Sequence, residues 1–121
     1  MAADPHVTVG LPVYNDPDGL RLVVPSVLGQ TWPGELRLLV VDDAIADDNL
    51  DILRSLRAFD DCVEVVRLPA SKGPSFVRNE ILRLAGDGYL AWIDTGDLWH
   101  PHKLELQLAT LMAAEREDPD T

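Results

Sequence analysis

The chain has 121 residues, 46% of them hydrophobic, which provides enough apolar surface for the core of one globular domain. Its formal net charge of −11 argues against nucleic acid as a partner, because phosphate backbones attract clustered lysines and arginines. A single cysteine, Cys62, excludes an internal disulfide, and neither a signal peptide nor an apolar run of the roughly 20 residues that span a bilayer is present. We therefore expect one cytoplasmic domain over residues 1–121, without a membrane span.

Four short apolar runs predict four β-strands along the chain. Each run is largely apolar and is cut off by turn residues, as expected for a strand, and the second run is nearly all apolar, as expected for a parallel strand that is covered on both faces. The predicted strands are residues 7–13, 36–41, 62–68 and 89–93.

A helix is predicted after each strand, from apolar residues spaced three and four apart. Pro25 lies inside the first helix and predicts a kink or a late helix start. The second helix is expected to begin at an N-cap of Asp47 or Asp48, the third at Ser75, and the fourth at Pro101. The residues expected to face inward from the last three helices are Ile52, Leu53, Leu56 and Phe59, then Phe76, Val77, Ile81, Leu84 and Ala85, and finally Leu104, Leu108, Leu111 and Met112.

The alternation of strands and helices predicts an α/β fold with a four-stranded, mostly parallel sheet and right-handed crossovers. We expect the strand order 3-2-1-4, which places the fourth strand at one edge. A bare apolar edge invites pairing with another chain, so we expect a homo-oligomer in which Trp92 or Trp99 is buried against a second copy.

Polar side chains follow the strands at the points where they end. Because the carboxyl ends of parallel strands meet at one rim of a sheet, where open α/β sheets bind ligands, these side chains predict a binding site. Each of them could instead cap a helix or brace a loop. The residues are Asn15, Asp42, Asp43, Lys72, Asp94 and Asp97.

Five segments, taken together in order and spacing, resemble the nucleotide-binding N-terminal half of family 2 inverting glycosyltransferases of the GT-A fold. The likeness covers about residues 7–111 and implies a truncated GT-A, Rossmann-like domain. The segments are VTVGLPVYN, SVLGQTWP, LLVVDDAIADDNLDIL, SKGPSFVRN and WIDTGDLWHPHKLELQL.

The resemblance implies binding of a UDP-sugar or a related nucleotide sugar, and transfer of the sugar with inversion to an acceptor. Asp43 is expected to accept a hydrogen bond from the base, while Asp94 and Asp97 are expected to bind Mn²⁺ or Mg²⁺ together with phosphate and water. No catalytic residue is assigned. The nucleotide-binding residues implied by the resemblance are Pro12, Val13, Tyr14, Asn15, Asp43, Lys72, Arg78 and Thr95.

Three departures from the family pattern affect this expectation. Gly96 stands where the family has its main metal-binding carboxylate, and Ala44 and Ile45 replace a glycine and a serine after the acidic pair. Family members also continue for roughly another hundred residues, which supply the acceptor surface and the acidic general base that deprotonates the acceptor hydroxyl. We therefore expect residues 1–121 alone to transfer sugar weakly or not at all.

Gly96 and the short length favour one alternative, a non-catalytic nucleotide-binding or assembly module derived from the same fold. A phospho-accepting receiver domain is a poorer match, because it needs its acidic pair after the first strand, and here the pair follows the second. His100 and His102 flank Pro101 and are expected to shape the start of the last helix rather than to bind metal.

Overall fold

A computed structural model of the chain describes residues 6–43, 51–52, 54–55 and 61–117. Its strands are β1 (Val7–Val13), β2 (Leu36–Asp42), β3 (Val63–Arg67) and β4 (Tyr89–Trp92), and its helices are α1 (Pro17–Leu28), α2 (Pro74–Ala85) and α3 (Lys103–Glu117). Residues 51–52 and 54–55 are also helical, where the second helix was predicted. The predicted N-cap at Asp47 or Asp48 and the predicted inward residues Leu53, Leu56 and Phe59 lie outside the described residues.

The four strands form one parallel sheet in the order β3-β2-β1-β4, which confirms the predicted topology. β1 lies inside the sheet and pairs with β2 from Val7↔Leu36 to Val13↔Asp42, and with β4 on its other side. All seven residues of β1 are buried. Its continuous apolar run is thus explained by covering on both faces and pairing on both edges.

The two faces of the sheet bury different side chains, because successive residues of a strand point to opposite sides. One face packs against α1 and α3, and its core includes Val9, Leu11, Val24 and Leu104. The other face packs against α2 through a smaller cluster of Leu39, Val41, Leu68, Val77 and Ile81. Within the described residues, no helix combines the length and the apolar composition needed to cross a bilayer.

Two predicted helix starts are wrong, and for α1 the late start is excluded while the kink at Pro25 stays a prediction. α1 begins at Pro17 and continues through Pro25, so the helix does not start late. α2 begins at Pro74, and its N-cap residue is Gly73 instead of Ser75. α3 begins at Lys103 rather than at Pro101, because the backbone makes a turn first, with the Lys103 N–H donating to the His100 carbonyl at 3.0 Å.

Two predicted core residues and one predicted interface residue are placed differently by the structure. Phe76 is 43% exposed and Leu111 is 40% exposed, because both lie at the margin of their helix's buried face. Trp99 is already buried within its own chain, so its burial does not need a second copy. Trp92, by contrast, is 41% exposed at the end of β4.

Candidate functional site

The acidic pair after β2 lies at the carboxyl rim of the sheet. Asp42 is the last residue of β2 and is fully buried, and its carboxylate forms an ion pair with Arg67 at the end of β3, with 3.4 Å between Oδ2 and Nε. The next residue, Asp43, donates its backbone N–H to the Val13 carbonyl of β1 at 3.0 Å. Asp42 therefore braces the ends of β2 and β3, whereas Asp43 is directed towards the rim.

Asp43 has a buried carboxylate that organises the loop before α2. Its Oδ1 accepts the Lys72 backbone N–H at 2.8 Å, and its Oδ2 accepts the Ser71 hydroxyl at 2.9 Å and the Gly73 N–H at 3.2 Å. Gly73 has a φ of 89°, a left-handed conformation that glycine adopts without steric cost. The three bonds therefore fix the loop by joining residues about 30 positions apart. Whether Asp43 also contacts a base stays a prediction.

A surface cleft of about 600 Å³ lies between α2 and the carboxyl end of β4. Its lining combines polar side chains, most of them on α2, with apolar side chains from α2 and from β1 and β4. Such a combination, an apolar surface with a few convergent polar groups, is typical of small-molecule sites. The lining residues are Pro12, Ser75, Arg78, Asn79, Leu82, Trp92 and Asp94.

Tyr14 lies close to three charged residues of this rim. Burial raises the pKa of its phenol, the Arg78 guanidinium opposes that rise, and the carboxylates of Asp43 and Asp94 reinforce it. The phenol is therefore neutral at neutral pH and can donate a hydrogen bond. Arg78 acts on Tyr14 and also lines the cleft, so its guanidinium group lies among the predicted nucleotide-binding residues.

The two predicted metal ligands belong to a tight turn after β4. The Asp97 N–H donates to the Asp94 carbonyl at 3.0 Å, and the Asp97 Oδ2 accepts the Asp94 N–H at 3.2 Å. Both residues are exposed. Among the described residues, no three histidine, cysteine or carboxylate side chains are grouped so as to hold a metal ion. The donor set fits a hard cation only if a bound ligand supplies further oxygens.

Asp16 is a residue of this rim that the sequence prediction missed. It is the N-cap of α1, and its Oδ1 accepts the Gly19 N–H at 2.9 Å. That bond, and a second one from the Thr95 hydroxyl, lower the pKa of the Asp16 carboxyl. An added Cβ on Gly19 would lie 2.6 Å from the Thr95 carbonyl oxygen, so glycine allows α1 to approach this turn closely. An aspartate directly before a proline at a helix start could have identified this cap.

The remaining predicted residues differ in what they offer a ligand. Val13 is fully buried, with its side chain in the core between the sheet and α1, so only its backbone faces the rim. Asn15 is exposed and adopts a left-handed φ of 64°. Lys72 is exposed, with its backbone N–H bonded to Asp43 and its ammonium group directed to solvent. Of the predicted residues, Pro12, Arg78 and Asp94 line one cleft, and Tyr14 interacts electrostatically with Arg78, Asp43 and Asp94.

Comparison with known proteins agrees with this geometry. The chain is 37% identical over 108 residues to the putative teichuronic acid biosynthesis glycosyltransferase TuaG of Bacillus subtilis; the match covers 89% of this chain and 42% of TuaG. The fold is similar to S. aureus TarS 1-349 in complex with UDP-GlcNAc, with a TM-score of 0.77, 26% identity, and coverage of 86% of this chain and 30% of TarS 1-349.

A second solved structure, the mannosyltransferase PcManGT from Pyrobaculum calidifontis in complex with GDP-Man and Mn²⁺, has a TM-score of 0.71 and 26% identity. That match covers 78% of this chain and 28% of PcManGT. The chain therefore spans less than half the length of each of these relatives. The sequence profile described as "Glycosyl transferase family 2" matches residues 8–118, which is most of the chain. The chain belongs to glycosyl transferase family 2.

Proposed function

We propose that this chain is the donor-binding half of an inverting glycosyltransferase and that it binds a nucleotide sugar, with UDP as the nucleotide. In this proposal the nucleoside lies beside residues 12–15 and Asp43. The diphosphate and sugar lie between Arg78 and the turn at residues 94–97. The acceptor and the general base are supplied by sequence other than residues 1–121.

The cleft between α2 and the end of β4 carries the proposal. Arg78 and Asp94 both line this cleft, so it offers a guanidinium group and a carboxylate to a ligand. A guanidinium fork suits phosphate oxygens, and a carboxylate accepts hydrogen bonds from sugar hydroxyls. Support for a nucleotide sugar also comes from the similar structures, whose ligands are UDP-GlcNAc in TarS and GDP-Man in PcManGT. Uracil is our choice because the resemblance implies a base contact at Asp43.

A divalent cation is proposed to bind together with the diphosphate. Asp94 and Asp97 would contribute oxygens, and the diphosphate and water would complete the coordination that Mn²⁺ or Mg²⁺ requires. The similar structure PcManGT contains Mn²⁺. A cation supplies positive charge to a leaving diphosphate, and the two carboxylates would repel that diphosphate without it.

One observation favours a second candidate, the non-catalytic nucleotide-binding or assembly module. Gly96 leaves the turn with two carboxylates, and no third metal-binding side chain joins them in the described part of the chain.

A cytoplasmic location belongs to both proposals. It is supported by the single cysteine, Cys62, which fits a reducing compartment.

The ligand is tested by calorimetric titration with UDP, GDP and UDP-sugars, with and without Mn²⁺. We expect UDP to bind more tightly than GDP and more tightly with Mn²⁺ than without it. Replacing Arg78 by alanine is expected to weaken UDP binding by about 1.5–3 kcal/mol, the range for hydrogen bonds to charged groups. Arg83→Ala is the matched control, because Arg83 lies on the same helix and pairs with Glu80 on the surface.

Failure of UDP to bind with or without Mn²⁺ would refute the donor site and leave the assembly module as the better proposal. Equal losses in Arg78→Ala and Arg83→Ala would show that the cleft is not where the diphosphate lies.

We also propose that the open edge of β4 pairs with a second copy of the chain. The half-exposed Trp92 ends this edge strand, and Leu111 of α3 is exposed beside it. Light scattering at high protein concentration is expected to give at least a dimer, and Trp92→Lys is expected to shift the mass towards a monomer, since a charge at a strand edge opposes pairing. Leu22→Lys on α1 is the control for an added surface charge. A monomeric mass for the wild-type chain contradicts the proposal.

A further inference from the structure

The side-chain amide of Gln30 joins three segments of the chain. Its Nε2 donates to the Ser26 carbonyl at 3.1 Å and to the His100 carbonyl at 2.7 Å, while its Oε1 accepts the Leu104 N–H at 3.0 Å. Both amide hydrogens and the amide oxygen are therefore used, and the orientation of the group is fixed by its partners. Two of these bonds join residues at least 70 positions apart in the sequence.

Thr31, the next residue, adds contacts to the same segment before and at the start of α3. Its N–H donates to the Pro101 carbonyl at 3.0 Å, and its hydroxyl lies 3.0 Å from His102 Nδ1 and bonds to Glu105. Gln30 and Thr31 together bond to the backbone on both sides of the point where α3 begins. We refer to these two residues as the Gln30 clamp.

The clamp fixes the far end of the loop that carries the acidic turn. The near end of that loop is fixed to the sheet, because the Ile93 N–H donates to the Gly10 carbonyl at 3.1 Å. Between the two ends lie Asp94 and Asp97, both exposed and joined to each other by the bonds of the turn. The buried side chain of Trp99 is a further anchor within this loop.

We propose that Gln30 is a positioning residue for the acidic turn: by holding His100 and Leu104, it sets the direction in which Asp94 and Asp97 present their carboxylates to a cation and diphosphate. The effect on ligand binding rests on the proposed function. The effect on the conformation of the turn is a property of the free chain and can be measured without any ligand.

Amide hydrogen exchange of the free chain tests the positioning directly. In Gln30→Ala, the amides of Asp97 and Leu104 are expected to exchange about tenfold faster, the effect of losing stabilisation equal to about one hydrogen bond. Tyr89→Phe is the matched control. It removes a 2.6 Å bond from the Tyr89 hydroxyl to Glu115 and so loosens α3 at its other end, without touching the clamp.

A second variant keeps the test useful if Gln30→Ala does not fold. Gln30→Glu retains the size of the side chain and an acceptor for the Leu104 N–H, but it places an oxygen against the carbonyls of Ser26 and His100. We expect faster exchange at Asp97 in this variant as well. Unchanged exchange at Asp97 in the folded Gln30 variants overturns the proposal.

UDP titration then separates positioning from general destabilisation. Gln30→Ala is expected to weaken Mn²⁺-dependent UDP binding about fivefold to tenfold, while metal-free binding changes less than about twofold, since only the acidic turn is displaced. Tyr89→Phe is expected to change neither affinity. Equal losses with and without Mn²⁺, or none with Mn²⁺, overturn the role of Gln30 in the site. If the wild-type chain does not bind UDP, the proposed function fails, and the exchange rates still decide whether Gln30 holds the turn.

Discussion

Replacing Asp43 by alanine is expected to lower the free energy of unfolding by about 2–4 kcal/mol, because it removes the buried carboxylate that accepts three hydrogen bonds from the loop before α2. The Asp43 side chain accepts bonds from two backbone N–H groups and one hydroxyl, and it is 1% exposed. Water cannot readily replace a carboxylate at so enclosed a position. The loop at residues 71–73 is therefore expected to lose its fixed conformation together with the stability.

Urea unfolding of the wild type, Asp43→Ala and Ser71→Ala measures the change in the free energy of unfolding. Ser71→Ala is the control, since it removes only one of the three donors and leaves the carboxylate bonded to the backbone. Its expected cost is about 1 kcal/mol, the typical net value of one hydrogen bond. If Asp43→Ala costs no more than Ser71→Ala, the carboxylate does not organise the loop. UDP affinity measured on the folded fraction then tests separately whether Asp43 contacts the base.

Replacing Gly96 by aspartate is expected to tighten Mn²⁺-dependent UDP binding by at least about tenfold, equivalent to about 1.4 kcal/mol. The substitution restores a third carboxylate to the turn that already carries Asp94 and Asp97, and hard cations prefer such oxygen ligands. Steric hindrance does not oppose it, because an added Cβ on Gly96 meets no atom within 4 Å among those described. Gly96 is also not among the glycines with a positive φ.

Calorimetric titration of Gly96→Asp and Gly96→Asn with UDP separates the effect of the added charge on affinity from the effect of the added side-chain volume. Gly96→Asn adds a side chain of almost the same volume without a negative charge, so we expect little gain from it. Without metal, Gly96→Asp is expected to weaken UDP binding, since a further carboxylate repels the diphosphate. Tighter binding of metal-free UDP by Gly96→Asp, or an equal gain in Gly96→Asn, would contradict a cation at this turn.

The sequence predicted the sheet better than it predicted the helix ends. Each strand is a short, largely apolar run, so the order of the strands along the chain follows from composition. Complete burial holds only for β1, since the edge strand β4 is partly exposed. The third predicted helix, α2, starts at Pro74 and not after Ser75, because a residue distant in the sequence fixes the loop before it. Asp43 bonds to the Lys72 and Gly73 N–H groups from about 30 residues away, and no local pattern near Ser75 reveals such a partner.

The contacts that were missed at the candidate site also join residues far apart in the sequence. The rim could be predicted, since polar residues after parallel strands must meet at one edge. The contacts of Gln30 with His100 and Leu104 depend on how α1 packs beside the β4–α3 loop, which a periodicity of apolar residues does not specify. Phe76 and Leu111 were misplaced because spacing identifies a buried face but not its width.

The position of Asp43 also has a consequence for the electrostatics of α2. The aligned peptide dipoles of a helix give its N-terminus a partial positive charge, and such ends often receive phosphate groups. Here the carboxylate of Asp43 already binds the N–H groups that lead into α2, so the chain neutralises this charge with one of its own anions. A diphosphate bound at this rim, as proposed, would have to obtain its positive counterpart from side chains or from solution. In a chain with a net charge of −11, that requirement would favour a divalent ion bound with it.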